Sequence, residues 1–107
     1  MAKTSKSEAL SAVAGKRLVE WDVEGHGEVV FQQPSRAAYM RLVSELQNEE
    51  KYDPSTSMLA FVKSCLIHPD QKTLDALLED YPGFVGMVSE ELQNLARPAA
   101  KAIVKKG

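Results

Sequence analysis

The chain has 107 residues, 44% of them hydrophobic and 26% charged, which bounds it to one domain with a modest core and argues against wholesale disorder. A single cysteine, Cys65, excludes an internal disulfide framework and a multi-cysteine metal cluster, and no apolar run approaches the roughly 18 residues of a membrane span. The net charge of −2 divides into +3 over residues 1–17, −9 over 18–96 and +4 over 97–107, and so acidic a body is a poor match for nucleic acid.

The first signal is Ser5-Lys6-Ser7-Glu8, which has the Ser-x-x-Glu form of a capping box. Leu10 and Val13 follow three apart and Gly15 can end the turn, so residues 1–16 are expected to form a short helix or a mobile arm. This opening has lysines but no apolar block of signal-peptide length, so the chain is expected to be intracellular. From Arg17 the period changes to two. Val19, Trp21 and Val23 share one face, and Glu20 and Asp22 the other. Glu24-Gly25-His26-Gly27 reads as a turn. Glu28 to Gln33 reads as a second strand, with Val29 and Phe31 on one face and Val30 and Gln32 on the other. Two strands alone are marginal in water, so this hairpin must lie on helices or pair further.

Ser35 then caps a helix whose stripe is Ala38, Tyr39, Leu42, Val43 and Leu46. Asp53-Pro54 starts the next, with Met58, Phe61, Val62, Cys65 and Leu66 as its apolar face and His68-Pro69 as its end. Asp70 caps a third, where Leu74, Leu77, Leu78 and Tyr81 fall at i, i+3, i+4 and i+7. Pro82-Gly83 breaks the chain before a fourth stripe of Phe84, Val88, Leu92 and Leu95, flanked by Met87. After Pro98, Ala99 to Val104 offers a last short helix, so residues 97–107 read as a basic helix or tail that either stays solvated or helps to dock a partner. The fold expected is α+β, mainly α: an N-terminal β-hairpin packed on a cluster of four to five short helices, with residues 17–96 as the core domain.

Little in this pattern suggests catalysis. Cys65 and His68 lie three apart, a spacing at which nucleophile and base can touch. The apolar stripe and the helix end account for the two residues more simply, and no third group orients them. Two histidines in separate elements do not supply the three or four converging ligands of a metal site. Gly25-x-Gly27 lacks the third glycine of a phosphate loop. No cofactor or metal is expected. The candidate partner-binding residues are Trp21 and Phe31 on the hairpin, with Tyr81, Phe84 and Met87 around the Pro82-Gly83 break. Such residues serve a core, or an adaptable contact surface where they are exposed.

Their order along the chain carries a resemblance. A tryptophan-bearing strand (Leu18-Val19-Glu20-Trp21) is followed by the Gly25-His26-Gly27 turn and a strand ending Gln33-Pro34-Ser35-Arg36. Then come a helix bearing Cys65 and closing at His68-Pro69, a leucine-rich helix, and Tyr81-Pro82-Gly83 leading a helix that ends Leu92-Gln93-Asn94-Leu95. This layout, over most of residues 17–96, resembles the small tail assembly chaperones of long-tailed bacteriophages. The resemblance implies a non-enzymatic protein of the host cytoplasm, absent from the mature virion. Its partners would be the tape measure protein, which it keeps soluble, and the tail tube protein, which it helps recruit, with self-association possible. A second class is a small helical adaptor or regulator of phage or bacterial origin, possibly DNA-associated; the −9 central zone disfavours it.

Overall fold

The computed structural model describes residues 15–107. The short helix expected within residues 1–16 lies outside them but for its last two positions. Strand β1 (Leu18–Val23) and strand β2 (Gly27–Gln32) form the expected hairpin, in register from Leu18 opposite Gln32 to Val23 opposite Gly27. Gly25 and Gly27 take positive φ, +82° and +81°, where a side chain would be strained. Four helices follow: α1 (Arg36–Leu46), α2 (Pro54–Ser64), α3 (Gln71–Asp80) and α4 (Phe84–Leu95). The fold is α+β, mainly α.

Helix starts are set by side chains. Ser35 accepts from the Ala38 N–H at 3.1 Å, Asp53 from the Thr56 N–H at 3.0 Å, and Asp70 from the Thr73 N–H at 2.8 Å. Each satisfies one of the donors a helix leaves unpaired at its first turn. Helix α4 begins at Gly83 without a side-chain cap.

Two expectations of secondary structure are corrected. Helix α2 ends at Ser64, and Leu66–His68 forms a third strand, β3, rather than the close of that helix. It pairs antiparallel with β2, Phe31 opposite Leu66 and Val30 opposite His68, with an irregularity between. The Cys65 carbonyl also accepts from the Gln32 N–H at 2.9 Å. The sheet order is therefore β1-β2-β3, which places β2 in the middle with both its edges paired. On this strand Val29, Val30 and Phe31 form an unbroken buried run. Ala99 to Val104 forms no helix; residues 98–107 run without regular structure. A six-residue segment with no apolar partner does not repay helix nucleation.

One side of the sheet packs on the helices. Val29 and Phe31 meet Leu42 of α1, Phe61 and Val62 of α2, Leu74 and Leu77 of α3, and Phe84, Val88 and Leu92 of α4 in a single core. Val19, Trp21 and Val23 of β1 pack at its margin, half-buried. Helix α1 is joined to α2 by a polar contact as well: the Ser57 hydroxyl donates to Glu45 at 2.7 Å, and Arg41 Nε donates to the same carboxylate at 2.8 Å. The Ser57 bond, then the Arg41 bond, hold the Glu45 carboxyl below its ordinary pKa.

Both layers of this packing predict measurable effects. Leu74→Ala is expected to cost about 2–5 kcal/mol in urea unfolding, because Leu74 is inaccessible and its removal leaves a cavity. A carboxyl with a depressed folded pKa adds stability that is present above its unfolded value, roughly pH 4.3, and is lost as pH falls through the folded one. Urea titrations at descending pH should therefore show a loss of stability in acid that Glu45→Gln makes smaller.

Candidate functional site

Strand β1 and helix α4 run in opposite senses along one side of the molecule. At one end the Arg17 guanidinium donates to the Leu95 carbonyl, at the C-terminus of α4 where a cation is favoured. Arg17 also joins the hairpin: its N–H donates to Gln33 Oε1 at 3.0 Å, and its carbonyl accepts from the Gln33 N–H at 2.8 Å. At the other end His26, in the hairpin turn, donates from Nε2 to Asp80 Oδ2 at 2.8 Å and meets the edge of the Tyr81 ring at 5.9 Å. These two clasps bracket the gap between strand and helix.

Three aromatic rings pack together beneath the gap. Trp21 stands edge-on to Phe31 at 5.8 Å and to Phe84 at 5.4 Å, and Phe31 and Phe84 are 6.4 Å apart. Edge-on contacts at these separations add to the burial itself. The five candidate residues therefore divide. Phe31 is 0% exposed and Phe84 5%, so both sit in the core, with Phe84 also at the rim of the hollow described below. Phe31 lies on the inner face of the central strand, and Phe84 opens the buried stripe of α4. Trp21 is half-buried and shows one side of its ring. Tyr81 and Met87 are 44% and 55% exposed. Tyr81 is not the last member of the α3 stripe; it is the C-cap residue, at φ −131° and ψ 71°, outside the helix. Proline at the next position disfavours helical geometry there.

Above this floor run two adjoining hollows that share Trp21 and Met87. One, of about 560 Å³, extends over Val23, Tyr81, Pro82 and the rim of Phe84. The other, of about 460 Å³, extends over Val19. Together they form an open, shallow groove with an apolar floor. Acidic residues line both hollows: Asp22, Glu24 and Asp80 the first, Glu90 and Glu91 the second. Asp80 is engaged by His26; among the described residues no ion pair engages the other four. The sequence showed the acidic excess but not its convergence, since these carboxylates come from β1, the turn, α3 and α4. By contrast, the hollow of about 90 Å³ between α1 and α2 is lined by the structural Arg41, Glu45 and Ser57.

Neither sequence candidate for chemistry is assembled into a site. Burial pushes the Cys65 thiol up, against the weaker opposing effect of its contact with Ser64 at 3.7 Å. A nucleophile needs the reverse shift. His68 lies in β3 opposite Val30. Among the described residues no three His, Cys, Asp or Glu side chains are grouped to hold a metal ion, and no helix is long and apolar enough to cross a membrane.

The division between core and groove is testable. Phe84→Ala should cost about 3–5 kcal/mol in urea unfolding. Met87→Asp, one turn along the same helix, should change stability by less than about 0.5 kcal/mol.

The family model described as a domain of unknown function, DUF6848, matches residues 8–105. Among solved structures, the uncharacterised protein rbstp2171 from Bacillus stearothermophilus is similar with a TM-score of 0.70 at 20% identity, over 94% of this chain and 100% of that one. That likeness shows a shared fold. No curated protein matches the chain.

Proposed function

The chain belongs to the DUF6848 family, a domain of unknown function, and on the strength of its groove and layout we propose that it is a non-enzymatic tail assembly chaperone of a long-tailed phage. Its client is the tape measure protein, whose amphipathic helices it covers in the host cytoplasm until tail tube subunits replace it. The observation that carries this reading is the apolar, acid-rimmed groove over Trp21, Tyr81 and Met87. A helix laid in such a groove buries its apolar face on the floor while flanking lysines and arginines meet the carboxylates. The layout of the hairpin and helices, which resembles that chaperone family, supports the same reading.

The physical demands of the role suit a shallow site. A chaperone that must be displaced needs a short residence time, and affinity among related complexes is set mostly by dissociation rate. An open groove with few enclosed side chains favours fast release. The exposed Met87 thioether adapts to successive, non-identical client segments.

The test is co-expression with a phage tape measure protein and a tail tube protein. Tape measure protein is expected in the soluble fraction only when this chain is present. Met87→Asp, which leaves the core intact, is expected to return most of it to the pellet. Equal solubility with and without the chain would refute the proposal.

A further inference from the structure

The segment after α4 has the complementary chemistry to the groove, and among the described residues nothing covers it. Residues 97–107 carry Arg97, Lys101, Lys105 and Lys106 with no acid. Among the large hydrophobic side chains exposed in the described residues, Ile103 at 77% and Val104 at 95% are the most open. They sit between Lys101 and the Lys105-Lys106 pair. The groove offers the inverse arrangement, an apolar floor of Val19, Trp21 and Met87 between carboxylates of both walls. Lengths agree as well. Six extended residues, 101–106, span about 20 Å at ~3.3 Å each, close to the length of β1, six residues in the same conformation. Because Ile103 and Val104 are adjacent, an extended segment presents an apolar side chain to the floor whichever face it turns inward.

We propose that residues 101–106 of one copy of this chain dock in the β1–α4 groove of a second copy. The contact goes beyond the proposed function, since it requires no client; where a client is present, tail and client compete for one groove. Tail and groove are different surfaces, so the contact is heterologous, and each copy retains one free groove and one free tail for further copies. Its strength depends on both the apolar pair and the charge match, so salt weakens it.

The experiment is sedimentation velocity on the full chain at rising concentration, with Ile103→Asp plus Val104→Asp as the tail variant, since either side chain alone can reach the floor, and Met87→Asp as the groove variant. Glu90→Lys with Glu91→Lys is a second groove variant that leaves the apolar floor unchanged. The unmodified chain should grow in mass with concentration, and less so when salt shortens the screening length from ~10 Å to ~3 Å. Each variant alone should associate about tenfold more weakly or worse. An equimolar mixture of the tail variant and a groove variant should form one-to-one pairs that grow no further, because one partner keeps only its groove and the other only its tail. A chain that stays monomeric throughout would overturn the proposal. So would association unaffected by the variants. Amides of 101–106 that are protected from hydrogen exchange in a monomer would also overturn it, by placing the tail in its own groove.

Discussion

The edge-on packing of Trp21 between Phe31 and Phe84 is the contact on which the rest of the molecule depends. A hairpin has too little apolar surface to stand alone, and here its outer strand reaches the core largely through one ring. Phe31 brings the central strand to the same point and Phe84 brings the start of α4. Sheet and helix layers are thereby fixed to each other at the place where the groove opens. The groove is a by-product of that geometry. A tryptophan is too large to be wholly enclosed at the margin of so small a core, so part of its ring is left as floor.

Electrostatics then gives the groove its sign. Two cationic or protonatable side chains, Arg17 and His26, are used inside the fold, one on the carbonyl end of α4 and one on Asp80. Their engagement leaves the rim to carboxylates. Solvent keeps each carboxylate inexpensive, and their joint field selects cationic partners more through encounter rate than through added affinity. A site of this kind discriminates by charge and by general apolar character, not by shape.

Much of the fold was legible because its cues are local. Period two identified β1 and β2, period 3.6 identified the helices, and Ser35, Asp53 and Asp70 marked three helix starts that the structure bears out. The losses are physical too. Strand β3 has three residues, too few to display alternation, and it exists because β2 has a second edge to satisfy. Tyr81 continues the α3 period by spacing alone, and the following proline removes it from the helix. For the site, the aromatic residues were visible but their sidedness was not. Phe31 and Trp21 are both hairpin aromatics facing the helices, yet only the outer strand leaves its ring partly open. That difference follows from strand order, which a pairing between residues far apart in sequence decides.

Among the described residues the sheet ends at β1, whose outer edge has no neighbouring strand. Bare borders of this kind usually invite indiscriminate zippering between identical molecules. Here Asp22 and Glu24 stand along it, and two such margins brought together at the ~4.8 Å spacing of paired strands would oppose like charges. Two identical borders therefore repel each other, while a lysine-bearing strand is admitted. The border behaves as a polarity filter, opposing edge-to-edge pairing of identical strands while leaving a seat for a chain of opposite sign.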